Sequence, residues 1–151
     1  MNYHCQKLKS GLYLVATPLG SARDITLRAL DVLCSCDALA AEDTRSMRKL
    51  LNIHNIPLKD RPILSYNDFN GDRVRPTIMN WLNSNMAVAY ASDAGMPLIA
   101  DPGYQLSKQA AEAGFYVTAV PGASACITAL SLSGLPTDRF FFEGFLPVSK
   151  E

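Results

Sequence analysis

Met86-Ala87-Val88-Ala89-Tyr90-Ala91, running straight into Ser92-Asp93-Ala94-Gly95-Met96-Pro97, is the stretch on which the fold turns. An uninterrupted apolar run of this length fits a strand covered on both faces, as in a parallel sheet. The loop after it extends through Asp101-Pro102-Gly103. It is longer and stiffer than a strand-to-helix connection requires, and its glycines let backbone approach a ligand. Ordinary tight turns use the same residues, so the loop alone does not decide between pocket wall and connection.

Working outward, four more runs of the same kind occur at Leu12 to Ala16, Asp37 to Ala41, Pro62 to Tyr66 and Phe115 to Val120. All five read as buried strands. Helical patterns alternate with them. Asp24 or Thr26 caps Leu27 to Cys36, Asp43 or Thr44 caps Arg45 to Ile53, and Gly71 to Asn83 gathers Val74, Ile78, Trp81 and Leu82 on one side. Pro76 suits that third helix only if it starts near Arg73, which leaves the ring in the first turn. Tyr104 to Ala113 is closed by Gly114, and Ser124 to Ser133 by Gly134. The expected fold is α/β: a doubly wound, mostly parallel five-stranded sheet with helices on both faces. Residues 1–135 form one cofactor- and substrate-binding domain. Gly134 to Asp138 breaks the pattern, and 136–151, with Phe140-Phe141-Phe142-Glu143-Gly144-Phe145-Leu146-Pro147, begin a strand leading to a C-terminal domain that this chain lacks.

Lysine plus arginine and aspartate plus glutamate balance at 14 each, which removes any global attraction for nucleic acid and confines an RNA contact to a local patch. The polar start lacks a signal peptide's apolar core and no run is long enough to span a bilayer, so a cytoplasmic protein is expected. Cys5, Cys34, Cys36 and Cys126 show no paired spacing and read as reduced thiols, mostly in the core. His4, in a loose terminus, and His54, at a helix end, are the only histidines, and no metal site is expected.

Open α/β sheets bind ligands beyond the carboxyl ends of their strands. The segments there are Thr17-Pro18-Leu19-Gly20, Glu42-Asp43-Thr44-Arg45, Asn67-Asp68-Phe69-Asn70, Ser92 to Pro97, and Pro121-Gly122-Ala123-Ser124. The last brings small residues to a helix amino end, whose free N–H groups suit a carboxylate or an adenine edge. The opposite edge, such as Ile53 to Arg61, looks like plain connection. Neither GxGxxG nor GxxxxGK[ST] occurs, and Gly-x-Ser-x-Gly is absent, which argues against dinucleotide, P-loop and serine-hydrolase chemistry.

Taken in order, these segments resemble the tetrapyrrole methylase superfamily, most closely its ribosomal RNA small subunit methyltransferase I branch. Leu12 to Gly20, Asp24 to Leu30, Ala41 to Arg45, Ser92 to Pro97, Asp101 to Gly103, Pro121 to Ala125 and Ser133 to Pro136 carry the likeness over nearly the whole chain. It implies methyl transfer from S-adenosylmethionine to the ribose 2'-hydroxyl of a cytidine in 16S ribosomal RNA of the small subunit, by a homodimer. It places cofactor contacts on Pro18, Leu19, Asp93, Ala94, Gly95, Met96, Pro97, Pro121, Gly122, Ser124 and Ala125. Three departures stand out: Asn67-Asp68-Phe69-Asn70 where the family has His-x-His-Asn, Met96 for threonine, and Ser21 for asparagine.

A ribose hydroxyl is a poor nucleophile that a positioned base would assist; Asp43, Glu42 and Asp93 are the carboxylates placed to try, with Asp43 or Glu42 favoured, Arg45 holding a phosphate and Asn70 on the substrate side. The competing reading makes Asp43 a helix cap with Arg45 paired locally. Arg45, Arg48 and Lys49 share a helix side, either a basic patch or a solvated face. A methylase of a corrin precursor and a non-catalytic cofactor-binding or dimerisation module are the alternative functions.

Overall fold

The computed structural model describes residues 3–146. Five strands alternate with five α-helices: β1 (Gly11–Val15), α1 (Leu27–Ser35), β2 (Ala38–Ala41), α2 (Thr44–Ile53), β3 (Ile63–Ser65), α3 (Gly71–Asn83), β4 (Ala87–Ala91), α4 (Tyr104–Glu112), β5 (Val117–Val120) and α5 (Ala125–Leu132). The strands form one sheet in the order β3-β2-β4-β1-β5, and every pairing is parallel. The doubly wound architecture is therefore present.

Strand burial follows position. Gly11–Val15, Ala38–Ala41 and Ala87–Ala91 lie inside and are fully buried, whereas the edge strands β3 and β5 are only partly so, which corrects the expectation of five buried strands. Alternating side chains feed two cores. Tyr13, Val15, Leu39, Ala89 and Ala91 meet Leu30, Leu33, Met47 and Leu51, while Leu12, Leu14, Ala40, Val88 and Tyr90 meet Ile78, Leu82, Leu106 and Ala110. Each fully buried large aliphatic side chain contributes about 1.5–3 kcal/mol relative to exposure.

Local chemistry sets the helix starts. Thr26 caps α1, its hydroxyl accepting from the Ala29 N–H at 3.1 Å, and Asp43 caps α2 by accepting from the Arg45 N–H at 2.8 Å. Pro76 departs from expectation: α3 starts at Gly71, so the proline sits beyond the first turn. The carbonyl it leaves without an in-helix donor belongs to Asp72, an exposed residue.

Two further expectations are corrected. Cys5 and Cys34 form a disulfide with Cα atoms 5.5 Å apart, because the amino-terminal arm is laid along α1. The His4 N–H donates to the Asp31 carboxylate at 2.6 Å and the Gln6 N–H to Ser35 Oγ at 3.0 Å, so this terminus is tied down rather than loose. Cys36 is a buried free thiol, pushed up to about 11 chiefly by burial, and Cys126 is free and half-buried. No strand forms in 136–146, where Phe140, Phe141, Phe142 and Phe145 are exposed and no segment among the described residues pairs with them; residues 147–151 of the expected strand lie outside the described residues.

Candidate functional site

The sheet order puts β1 beside β4, so the loops after them leave from the middle of the carboxyl edge, where the chain switches direction across the sheet. They are stitched together. The Thr17 N–H donates to the Gly95 carbonyl at 2.9 Å, the Gly95 N–H returns to Thr17 at 3.0 Å, and the buried Thr17 hydroxyl donates to the Ser92 carbonyl at 3.1 Å. Gly95 has φ +83°, a left-handed conformation, and a Cβ there would lie 3.0 Å from Leu19 Cδ2 and 3.4 Å from the Ala123 carbonyl oxygen. Gly122 is packed so that a Cβ would stand 2.7 Å from that of Ala16. Three edge loops thus converge with no room between them for larger side chains.

A recess of about 230 Å³ opens where the fourth loop faces the amino end of α5, lined by Ala94, Gly95, Met96, Ile99, Asp101, Ser124, Ala125, Cys126, Phe142 and Phe145. Ser124 precedes α5 without capping it by a side-chain bond; its hydroxyl instead lies 3.2 Å from Cys126 Sγ. The first backbone N–H groups of α5 are therefore open to an anionic or hydrogen-bonding ligand. Of the expected cofactor residues, Ala94, Gly95, Met96, Ser124 and Ala125 meet in this recess, and Leu19 touches its floor at Gly95. Pro18 and Asp93 instead face a second recess, also about 230 Å³, against α2, with Thr17, Asp43, Met47 and Lys49. Pro97 is fully buried and Gly122 packs on Ala16, so these two shape the walls, and Pro121 does not line either recess.

The second and fourth loops form a clamp. The Glu42 carboxylate accepts from the Asp93 N–H at 3.2 Å, and the Asp93 carboxylate accepts from the Asp43 N–H at 3.2 Å. Partial burial pushes the Glu42 carboxyl up, the Asp93 N–H works against that, and nearby Asp93, Asp101 and Asp68 raise it further. Asp101 is likewise pushed up, mainly by burial. Asp43 behaves oppositely. Arg45 Nε and Nη2 fork onto it, the shortest contact being 2.7 Å, and hold its carboxyl down to about 2. The Arg45 side chain is nevertheless 90% exposed, leaving the rest of its donor fork in solvent, and Arg48 and Lys49 on the same helix are exposed.

A shallower recess of about 350 Å³ joins Glu42, Asp43, Thr44, Arg45 and Asp93 to Ser65, Asn67 and Phe69 of the third edge loop. Asn70 lies behind that loop. Its side-chain oxygen accepts from the Asn67 N–H at 2.9 Å and its amide donates to the Ser65 carbonyl at 3.1 Å, so it builds the turn. Residue types alone did not single out Asp101, the Thr17–Ser92 bond or Phe69 as site features. Asp101 was signalled by its place in the long fourth loop; the Thr17 bond spans 75 residues and carried no local sign. Among the described residues no group of three or more histidine, cysteine or acidic side chains is arranged to hold a metal ion.

Comparison with known proteins places this geometry. The family model described as tetrapyrrole (corrin/porphyrin) methylases matches residues 11–146. The ribosomal RNA small subunit methyltransferase I of Rickettsia prowazekii is 48% identical over 144 residues, covering 95% of this chain and 50% of the relative. That of Vibrio cholerae is 49% identical over 140 residues, covering 93% and 48%. The chain thus spans about half the length of the curated relatives it matches. Among solved structures, the uroporphyrin-III-C-methyltransferase of Thermus thermophilus superposes with a TM-score of 0.62 at 22% identity, covering 85% of this chain and 53% of that one. A conserved hypothetical protein of Aeropyrum pernix gives 0.66 at 23%, covering 89% and 46%. At these identities the likeness shows the shared fold.

Proposed function

The chain belongs to the tetrapyrrole (corrin/porphyrin) methylase family, and from that premise we propose that it serves methyl transfer from S-adenosylmethionine to the ribose 2'-hydroxyl of a cytidine in 16S ribosomal RNA. The observation that carries the reading is the Glu42–Asp93 clamp, which sets a carboxylate of raised basicity in the recess shared by the second, third and fourth edge loops. The names of the relatives support RNA of the small ribosomal subunit as the substrate.

The recess suits the cofactor. Ala94, Gly95, Ser124 and Ala125 leave backbone accessible, the open N–H groups of α5 match a carboxylate or adenine edge, and Met96, Ile99 and Phe142 offer apolar cover. S-adenosylmethionine supplies a methyl group already activated by its sulfonium charge. What remains for the protein is to align the acceptor and remove its proton. Glu42 takes the proton of the ribose hydroxyl. Asp43, held down near 2 by Arg45, is too weak a base for that and acts as a positioning residue, fixing one side of the guanidinium so that its exposed donors meet a phosphate. Asn70 supports the third loop rather than touching substrate.

We take the working form to be a cytoplasmic homodimer; among the described residues no helix is long and apolar enough to cross a membrane. Sedimentation velocity at micromolar protein tests the assembly, and a monomer throughout would remove that part. The function is tested by incubating the protein with labelled S-adenosylmethionine and small ribosomal subunits, digesting the RNA to nucleosides and identifying the labelled one by mass spectrometry. Label in 2'-O-methylcytidine is expected. Label only in a corrin precursor offered in parallel would move the protein to small-molecule methylation, and no transfer to either would leave a non-catalytic module.

A further inference from the structure

We infer that Phe69 is a stacking platform for an unpaired base of the RNA substrate, in a nucleotide subsite that Arg45 completes on the phosphate side. The inference rests on the RNA-methylation reading above and adds to it how the acceptor strand is gripped.

Phe69 is the most exposed large apolar side chain among the described residues, at 102% of its reference exposure. It does not hang from a loose loop. The Asn67 side-chain oxygen accepts from the N–H groups of Phe69 at 3.1 Å and Asn70 at 3.2 Å, while Asn70 grips Asn67 and Ser65 in return. The two asparagines spend their hydrogen bonds inside the turn, and what the turn presents outward is an aromatic ring on a fixed mount.

Single exposed apolar residues are common and need no explanation by themselves. Position separates this one from the rest. It follows β3 at one edge of the sheet, whereas the exposed apolar residues Ile127, Leu132 and Phe140 follow β5 at the other, so Phe69 is not part of that surface. It lines the same recess as Glu42 and Arg45, of a size that accepts a small-molecule-like group. The charges are divided within the site: Glu42 and Asp93 repel phosphate, while Arg45, bound on one side by Asp43 but with its remaining donors exposed, attracts it together with Arg48 and Lys49 further along α2. A nucleotide entering with its phosphate on the α2 side and its base toward the third loop satisfies both, and brings its ribose toward Glu42.

A phenyl ring has no hydrogen-bonding group to read a base edge, so it binds by π-face contact and tolerates any base. Such contact requires a base free of its neighbours in a duplex, which defines the ligand as a single-stranded or splayed-out nucleotide.

The test uses a short single-stranded RNA carrying 2-aminopurine, titrated with the full chain and its Phe69→Ala, Phe69→Leu and Phe69→Tyr variants, with S-adenosylhomocysteine titrated in parallel. Stacking predicts quenched 2-aminopurine emission with the unaltered protein. It also predicts a roughly ten- to hundredfold weaker RNA affinity for both the alanine and leucine variants, near-normal affinity for tyrosine, and unchanged cofactor affinity and melting temperature in all. Leucine binding as well as phenylalanine would overturn stacking in favour of plain apolar contact. Normal RNA affinity in the alanine variant would overturn the subsite while leaving RNA methylation standing. If the unaltered protein neither binds nor methylates RNA, the functional reading and this inference fall together.

Discussion

Two regions of one sheet edge are built on opposite plans. On the β2–β3 side, Glu42, Asp93, Asn67, Asn70 and Ser65 are cross-linked by side-chain-to-backbone hydrogen bonds, and Arg45 is locked onto Asp43. On the β5 side, α5 has no buried residue although its sequence, Ala-Cys-Ile-Thr-Ala-Leu-Ser-Leu, is predominantly apolar. The first region is held by polar bonds this chain supplies to itself. The second offers apolar surface and open backbone to whatever occupies the recess. On the proposed reading, in which the first region takes the acceptor and the second the cofactor, acceptor-side geometry is preset whereas the cofactor side gains its cover through contacts, so perturbing one should leave the other's readout largely intact.

The largest expected effect tests that independence on the acceptor side. Glu42→Gln keeps an oxygen to accept from the Asp93 N–H but removes the base, and methyl transfer should fall by roughly a hundred- to ten-thousandfold, with calorimetric S-adenosylhomocysteine affinity within about twofold on the same argument. Loss of cofactor affinity to the same degree would show the two regions to be one. Next comes the cofactor side: Gly122→Val forces side-chain atoms into Ala16, where even a Cβ would be 2.7 Å away. Overpacking of this kind costs about 1–3 kcal/mol, read as a lower melting temperature together with weakened cofactor binding.

Two smaller effects concern charge. Asp43→Asn retains a good helix cap and removes the partner of Arg45, so RNA affinity should drop modestly while cofactor binding holds. Asp43 has a folded-state pKa below its unfolded one, so its charge stabilises the fold above the ordinary carboxylate range and this is lost as pH falls toward 2. The variant should therefore melt slightly lower at pH 7 and match the parent in strong acid. Glu42 has the reverse sign. Its carboxyl is pushed up in the fold, so ionising it disfavours the folded state as pH rises past its unfolded value. Glu42→Gln should melt slightly higher at pH 7, an advantage that vanishes below the ordinary carboxylate range; equal melting at both would place Glu42 in an ordinary solvated environment.

The scaffold was legible because its signals are local. Apolar runs such as Leu12–Ala16 and Met86–Ala91 mark strands wherever they occur, and Thr26 marks a helix start by chemistry confined to three residues. Between Asp43 and Thr44 the cap was ambiguous, since both suit the position and only the backbone decides. What escaped reading depends on distant partners. Cys5 meets Cys34 across 29 residues because the arm lies on α1, and no spacing rule reveals that. Phe140 to Leu146 carries the composition of a strand, but among the described residues it has no neighbour to pair with, and pairing is a property composition does not show. In the candidate site, the identities of Glu42, Asp43 and Arg45 mark the loop after β2 in the sequence, while the proposed split of their roles rests on which backbone N–H each carboxylate accepts.

The pH dependence of single-turnover methyl transfer to small ribosomal subunits, with the unaltered protein and with Glu42→Gln, tests the central claim most directly. With the carboxylate of Glu42 taking the proton, the parent rate should rise with pH through a single ionisation above the ordinary carboxylate value, and the variant should be slow and without that step. A variant that keeps both the rate and the step would contradict Glu42 as the proton acceptor and, with it, the assignment of this edge as the acceptor site.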